Sequence, residues 1–180
     1  VDSTVDLLSP YAADKYVMEL YAKIAHQLYK VSSIGLRFYN VYGPRQDPSS
    51  AYSGVISIFS DRLLRGNSIT INGGYQSRDF IYVEDIVKAI DKSLLTVNKE
   101  ILCEQINILT GKSISVDRVA DMLIDAVGVQ VEKIYQELPA GDPERSKGTT
   151  AKMQRLLGTD LESMVPIDAG LSFTVDFLRS

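Results

Sequence analysis

Residues that build disulfides and metal sites are almost missing from this sequence. It has one cysteine, Cys103, and one histidine, His26, which has no second ligand candidate near it in sequence. A single thiol cannot form a disulfide framework or a thiolate metal cluster, so neither is expected. We expect no metal site. Nothing in the cysteine content favours secretion, and we predict a cytoplasmic protein.

Long hydrophobic runs and an excess of positive charge are also missing. No segment approaches the roughly 18 consecutive apolar residues that a membrane span needs. The net charge is -4 and the pI is near 5.0, whereas non-specific nucleic-acid binding relies on clustered cations that neutralise phosphates. We therefore expect neither a membrane nor a nucleic acid as partner, and any bound anion must meet a local site.

The glycine-rich loops that bind nucleotide phosphates are absent as well. No Gly-x-Gly-x-x-Gly follows a predicted strand, and no phosphate loop ends in Gly-Lys-Ser/Thr. The first residues, Val1 to Thr4, include neither an initiator methionine nor the basic and apolar regions of a signal peptide. We expect this chain to be a piece of a longer protein, with any dinucleotide fingerprint located before Val1.

What remains is typical of an α/β protein. The 180 residues, 45% of them hydrophobic, are enough for one domain with a core. Apolar residues recur at helical spacing after Pro10, which predicts a helix with one face in the core, and residues 33–39 alternate as a strand. Further helices are predicted at 55–64, 86–95, 116–127, 152–157 and 167–178, further strands at 69–72, 77–83, 105–109 and 129–135, and a loop at 40–50.

Tyr11 and Lys15 form the most suggestive pair in the chain. Residues four apart lie side by side on a helix, here one that Ser9 would cap and Pro10 would begin. An ammonium beside a phenol favours the phenolate, so the pair could take a proton from an alcohol. A Tyr and a Lys at this spacing arise easily by chance, and the context must therefore decide.

Two further segments could bind a ligand. Residues 40–50 are rich in turn formers and follow a strand, and ligands bind in loops past the carboxyl ends of strands in open α/β sheets. Arg78 opens a predicted strand. From the residues alone, an ion pair with Asp79 or another neighbour is the simpler expectation for this cation.

Three segments in order resemble the extended short-chain dehydrogenases, and among them most closely the UDP-glucose and UDP-N-acetylglucosamine 4-epimerases. The segments are Tyr11 with Lys15, the run Leu-Arg-Phe-Tyr-Asn-Val-Tyr-Gly-Pro-Arg-Gln at 36–46, and the run Ser-Arg-Asp-Phe-Ile-Tyr-Val-Glu-Asp at 77–85. The resemblance implies the C-terminal part of an extended Rossmann-like fold. Residues 1–52 would end the NAD-binding domain, and residues 53–180 would form mainly the substrate-binding lobe with returning Rossmann elements.

The resemblance implies NAD-dependent epimerisation at C4 of a UDP-sugar through a 4-keto intermediate. Tyr11 would take the proton of the C4 hydroxyl while NAD accepts the C4 hydride, and Lys15 would bond the nicotinamide ribose. The glycine fingerprint and the Ser or Thr that completes the catalytic set would lie in the missing part, so the 180 residues alone should be inactive. The resemblance also implies a homodimer formed through helices that include the one bearing Tyr11.

The resemblance assigns cofactor and substrate contacts to ten further positions of this sequence. Phe38 and Tyr39 would line the nicotinamide pocket. The substrate contacts would be Asn40 and Arg78 on the diphosphate, Asp142 on the ribose hydroxyls, Ser53, Gly54 and Val55 on the sugar nucleotide, and the backbone of the strand with Thr70 and Asn72 on the uracil.

Two positions depart from the family pattern. Pro139 stands where many relatives have an arginine, so a second phosphate cation would have to come from elsewhere, such as Arg145. The turn after Asn72 is also about one residue shorter than the common pattern.

The visible residues leave two other functions open. One is a nucleotide-sugar 4,6-dehydratase, whose additional acid pair would lie upstream of this chain. The other is a non-catalytic module for nucleotide-sugar binding or dimerisation. The spacing of residues does not distinguish among glucose, N-acetylglucosamine and a uronic acid as the sugar.

Overall fold

Helices and strands alternate along the chain, which confirms the predicted α/β class. The structure is a computed structural model that describes residues 10–50, 53–98 and 102–180. Its helices are α1 Pro10–Tyr29, α2 Val55–Leu64, α3 Val83–Val97, α4 Val116–Val127, α5 Ala151–Leu157 and α6 Ile167–Arg179. Its strands are β1 Ser33–Phe38, β2 Asn40–Tyr42, β3 Ile69–Asn72, β4 Ser77–Tyr82, β5 Cys103–Ile108, β6 Ser113–Ser115 and β7 Lys133–Gln136, and a short 3-10 helix covers Leu161–Ser163.

Parallel pairing dominates the sheets. Strand β1 pairs with β5, β2 with β4, and β3 with β7, all in parallel, while β6 runs antiparallel to β4. Parallel strands need long crossover connections, and the helices between them supply these. In the β2–β4 register, Asn40 lies opposite Phe80. This register brings residues 40–42 of the 36–46 segment beside residues 80–82 of the 77–85 segment.

Strand β4 separates two hydrophobic cores. Its side chains alternate, so that Phe80 and Tyr82 pack with residues of α2, α4 and α6, whereas Ile81 packs with Ile106 and Ile108 of β5. Among the described strands, β4 has the most buried residues, and they lie on both of its faces. The strand therefore provides a rigid support for the polar side chains at its beginning.

Several predicted element boundaries were wrong. Residues 40–42 form strand β2 and not the start of a loop, and residues 113–115 form strand β6. Residues 129–132 precede β7 and do not belong to it, and α3 begins at Val83. Strands of three residues are too short to show alternation in the sequence. They exist because their backbones complete hydrogen bonds with β4.

The predicted core face of α1 was also wrong for the described residues. None of the residues of α1 is fully buried, and Val17, Tyr21 and Leu28 are exposed. The helix packs on β1 and β5, which cover only part of its apolar surface. The predicted cap, Ser9, lies outside the described residues.

Two kinds of feature are absent from the described ranges. No helix there combines the length and the apolar character of a membrane span. No group of three or more His, Cys, Asp or Glu side chains there is arranged to hold a metal ion.

Truncation of Leu63 should strongly destabilise the core around α2. Leu63 is completely buried, and removing a buried leucine to its Cβ typically costs about 2–5 kcal/mol through lost burial and a residual cavity. Leu94 of α3 is 58% exposed, so Leu94→Ala is a matched control that should change the free energy of unfolding by about 0.5 kcal/mol or less. Urea unfolding of the full-length protein measures both, and equal losses would contradict this core assignment.

Candidate functional site

A cleft of about 360 Å³ lies beside strands β2 and β4. We call it the β2–β4 cleft. Its walls come from β2, β4, the start of α2 and the loop at 137–146. The predicted site residues that line it are Tyr39, Asn40, Ser53, Gly54, Val55, Arg78 and Asp142. Residues that sequence reasoning had not singled out also line it, among them Gln46, Gln76 and Tyr42.

Asn40 lies in this cleft because β2 pairs with β4. Its side-chain Nδ2 donates a hydrogen bond to the backbone carbonyl of Asp79 at 3.1 Å. A donor facing a carbonyl fixes which way the amide points. The second hydrogen on Nδ2 and the side-chain oxygen can then face a ligand.

Arg78 pairs with Asp142 and not with its sequence neighbour Asp79. Its Nη2 donates to Asp142 Oδ1, and its Nη1 donates to the carbonyl of Ser77 at 3.0 Å. The Arg78 side chain is only 11% exposed, while that of Asp142 is 40% exposed. The structure thus joins the cation predicted to hold a diphosphate and the acid predicted to hold the ribose, which are 64 positions apart in the chain.

Asp79 anchors β4 to the loop after β5. Its carboxylate accepts hydrogen bonds from the Thr110 amide and the Gly111 amide, both at 2.8 Å, and from the Thr110 hydroxyl at 2.9 Å. Burial raises the pKa of Asp79, and the hydrogen bonds from Thr110 and Gly111 partly oppose this rise. The sequence alone indicates Asp79 only as an ion-pair partner for Arg78. In the structure, the hydrogen bonds of Asp79 fix the β4 backbone next to Arg78. The carbonyl of Asp79 also accepts the hydrogen bond from Asn40.

Ser53, Gly54 and Val55 lie at the beginning of α2. Gly54 is the N-cap and has no side-chain oxygen, so no side chain at this position caps the first amide groups of the helix. The Ser53 hydroxyl donates to the carbonyl of Asp47, which ties the preceding loop to the helix. Helix amide groups that point into a cleft favour an anion.

Tyr11 and Lys15 lie in a different cavity. This cavity, of about 620 Å³, is formed between α1 and β1, and we call it the α1–β1 cavity. The Lys15 ammonium is 5.2 Å from the centre of the Tyr11 ring. Phe38 lines this cavity, whereas its neighbour Tyr39 lines the β2–β4 cleft. The two residues predicted for one nicotinamide pocket are therefore placed in two cavities.

Thr70 and Asn72 lie on β3, and neither lines the β2–β4 cleft. The carbonyl of Asn72 already accepts hydrogen bonds from Gln76 Nε2 at 2.6 Å and from the Gly74 amide at 2.9 Å. The structure therefore does not bring these two predicted uracil contacts together with Arg78 and Asp142.

Comparison with known proteins gives consistent matches. The family model described as "NAD dependent epimerase/dehydratase family" matches residues 2–108. The chain is 42% identical over 142 residues to a protein of Methanocaldococcus jannaschii described as a putative UDP-glucose 4-epimerase, covering 78% of this chain and 45% of that protein. It is 32% identical over 180 residues to a UDP-glucose 4-epimerase of Mycolicibacterium smegmatis, covering 99% and 56%. The chain thus spans about half the length of these relatives.

Three solved structures also resemble this chain over nearly its whole length. A Thermotoga maritima UDP-glucose 4-epimerase with UDP-glucose has a TM-score of 0.87 and 36% identity, covering 96% of this chain and 54% of that one. A Methanobrevibacter ruminantium UDP-N-acetylglucosamine 4-epimerase, in complex with UDP-N-acetylmuramic acid, has a TM-score of 0.88 and 33% identity, covering 99% and 56%. A Thermus thermophilus UDP-glucose 4-epimerase, at 0.82 and 32%, covering 96% and 54%, was solved with NAD. These matches confirm the predicted Rossmann-like fold and agree with NAD as the family's cofactor.

Proposed function

Because the chain belongs to the NAD dependent epimerase/dehydratase family, we propose that the full-length protein inverts C4 of a UDP-sugar through a 4-keto intermediate. The observation that carries this proposal is the convergence of Asn40, Arg78 and Asp142 in the β2–β4 cleft. This convergence provides a cation for a diphosphate and an acid for ribose hydroxyls in a chain whose net charge is negative.

The β2–β4 cleft would hold the nucleotide diphosphate. Each Nη of a guanidinium carries two hydrogens, so Arg78 can donate to phosphate oxygens while it keeps its bonds to Ser77 and Asp142. The amide of Asn40 adds a donor on the same side. The Asp142 carboxylate has a second oxygen, which can accept hydrogen bonds from ribose hydroxyls.

Tyr11 would move the proton of the sugar C4 hydroxyl. Its phenolate would accept this proton when the hydroxyl becomes a ketone and would return it when the ketone is reduced. The Lys15 ammonium lies over the Tyr11 ring, 5.2 Å from its centre, so a positive charge lies near the group that would carry the proton. This chain therefore carries the proton-transfer part of the reaction.

The α1–β1 cavity would hold the nicotinamide half of NAD. Phe38 is an aromatic residue in its wall that could contact a flat ring, and Lys15 and Tyr11, which also line it, carry donors for ribose hydroxyls. NAD, when bound, would supply a reversible acceptor for the C4 hydride. The residues that would hold it here are Tyr11, Lys15 and Phe38.

We further propose that these 180 residues do not complete the cofactor site. The sequence has no glycine-rich loop for the pyrophosphate of a dinucleotide, and residues 1–52 would be only the end of the cofactor domain. The 180-residue chain alone should bind NAD weakly and show no turnover, whereas full-length protein should bind it tightly. Fluorescence titration with NADH compares the two, and equal tight binding would contradict this division.

A nucleotide-sugar dehydratase is the second candidate. An NAD-dependent NDP-hexosamine 5,6-dehydratase matches this chain with a TM-score of 0.81 and 30% identity, covering 99% of this chain and 56% of that one. The residues of the two cavities would serve either reaction, because each needs NAD and a nucleotide sugar.

Product analysis separates these functions. Full-length protein incubated with UDP-glucose or UDP-N-acetylglucosamine should give the sugar inverted at C4 with its C6 hydroxymethyl group intact, as seen by proton NMR. A dehydrated sugar would support the second candidate. Unchanged UDP-glucose, UDP-N-acetylglucosamine and UDP-glucuronic acid would favour a non-catalytic binding or dimerisation module.

We also propose that the full-length protein is a cytoplasmic homodimer with α1 at the interface. The exposed apolar residues of α1 that do not line the α1–β1 cavity, including Val17, Tyr21, Ile24 and Leu28, support this because burial in a dimer would remove them from water. Light scattering coupled to size exclusion should give twice the chain mass. A monomer at micromolar concentration would contradict the proposal.

A further inference from the structure

Arg37 and Glu19 form a two-point ion pair inside the α1–β1 cavity. Arg37 Nε donates to Glu19 Oε1 and Arg37 Nη2 donates to Glu19 Oε2, each at 2.6 Å. Both residues line the same cavity as Tyr11 and Lys15. The proposed binding of NAD and the proposed proton transfer in this cavity do not use the ion pair.

The pair lies in line with the proposed catalytic residues. Tyr11, Lys15 and Glu19 are spaced four apart on α1, so they form one row along the helix. Arg37 lies on β1 directly before Phe38. The Glu19–Arg37 contact therefore joins the row that carries Tyr11 to strand β1, which ends at Phe38.

In the described residues, α1 packs only loosely on the sheet. None of its residues is fully buried, so the interlocking of side chains that normally fixes a helix against a sheet is weak here. A bidentate arginine–carboxylate pair defines direction as well as distance, because two parallel hydrogen bonds hold two planar groups together. The Glu19 side chain is 17% exposed and that of Arg37 is 40% exposed, so water screens the pair only partly.

We propose that the Glu19–Arg37 pair positions the catalytic residues by fixing the rotation of α1 relative to β1. It aims Tyr11 and Lys15 across the cavity toward the carboxyl end of β1. The hydrogen bond to Glu19 raises the pKa of Arg37, as expected for a guanidinium paired with a carboxylate. Neither residue touches the reacting atoms, so both are positioning residues. The inference rests on the proposed function, since it needs a reaction at Tyr11.

The ordinary alternative is an ion pair that only stabilises the fold. Such pairs at surfaces contribute about 0–1 kcal/mol, and their loss would not separate catalysis from substrate binding. Misplacement of a catalytic group by about 1 Å can lower a rate by about 100-fold. A positioning role therefore predicts a lower kcat with unchanged UDP affinity, whereas a structural role predicts no such separation.

The test uses Glu19→Gln and Arg37→Gln in the full-length protein. We expect each to lower kcat by about 10- to 100-fold and to weaken NADH binding in a fluorescence titration, because Lys15 moves with the same helix. The affinity for UDP, measured by calorimetry, should stay within about two-fold, since UDP binds in the other cleft. The double variant Glu19→Arg with Arg37→Glu, which restores opposite charges, should recover about 10-fold of the lost kcat.

A matched control is Arg65→Gln on α2, which breaks the exposed pair with Asp61 and should leave all three quantities unchanged. Single variants with wild-type kcat and NADH affinity would overturn the inference. A fall in UDP affinity as large as the fall in kcat, or a thermal unfolding midpoint below the assay temperature, would show a structural role and overturn it as well. A wild-type protein that turns over no UDP-sugar would overturn the proposed function itself, a result distinct from active protein with unaffected variants.

Discussion

Replacing Tyr11 by phenylalanine in the full-length protein should lower the rate of C4 inversion by two or more orders of magnitude. Proton transfer by a positioned side chain typically contributes about 10²–10⁴-fold to a rate, and the substitution removes only the hydroxyl that would transfer the proton. The Tyr11 side chain is 65% exposed in the described structure, so its loss breaks little packing. The rate is measured by following the inverted sugar over time.

Two comparisons make this result specific. The affinity of Tyr11→Phe for UDP should be unchanged, because Tyr11 does not line the β2–β4 cleft. Tyr29 lies on the same helix and is 74% exposed, so Tyr29→Phe is a control that should turn over like the wild type. Turnover by Tyr11→Phe within a few-fold of the wild type would remove Tyr11 from the mechanism.

Replacing Arg78 by alanine should weaken UDP binding by about 10- to 100-fold. Hydrogen bonds to charged groups contribute about 1.5–3 kcal/mol, and 1.4 kcal/mol is a factor of ten in affinity. Among the described residues that line the β2–β4 cleft, Arg78 is the one arginine or lysine, and its side chain is mostly buried. Calorimetry with UDP measures the loss.

The partner Asp142 could produce part of this loss for another reason. Without Arg78, the Asp142 carboxylate is left unpaired and repels a diphosphate. The double variant Arg78→Ala with Asp142→Ala removes this repulsion, and we expect it still to bind UDP at least 10-fold more weakly than the wild type. Wild-type affinity in the double variant, or in Arg78→Ala itself, would mean that Arg78 holds only the loop and no phosphate.

Local signals in the sequence were sufficient for most helices. The predicted ranges of α2 and α4 agree with Val55–Leu64 and Val116–Val127. Gly128 ends α4 in the left-handed conformation, with φ of 76°, as expected for a glycine after a helix. These signals act within one or two turns of the chain, and a sequence therefore shows them directly.

Pairing across long distances could not be predicted in the same way. Strand β2 depends on β4, which lies about 40 residues later, and Arg78 depends on Asp142, 64 residues later. The anchoring role of Asp79 and the Glu19–Arg37 pair are likewise products of tertiary structure. The family resemblance identified Asn40, Arg78 and Asp142, because the order of the motifs reflects the tertiary structure of the family. In the structure, all three residues line the β2–β4 cleft.

The apolar spacing of α1 shows the limit of a periodicity argument. Val17, Tyr21 and Leu28 repeat at helical spacing, which predicts a helix with an apolar face. Periodicity does not say which element covers that face. In the described residues, β1 and β5 leave much of the apolar face of α1 exposed. The proposed dimer would cover this face in the full-length protein.

The most direct test of the proposed site is a crystal structure of the full-length protein with NAD and a UDP-sugar. We expect the Arg78 guanidinium to donate to diphosphate oxygens at about 2.9 Å. We expect the sugar to extend from the β2–β4 cleft toward the α1–β1 cavity, with its C4 hydroxyl within hydrogen-bond reach of Tyr11 Oη. A diphosphate bound away from Arg78, or a C4 hydroxyl out of reach of Tyr11, would contradict the proposed function.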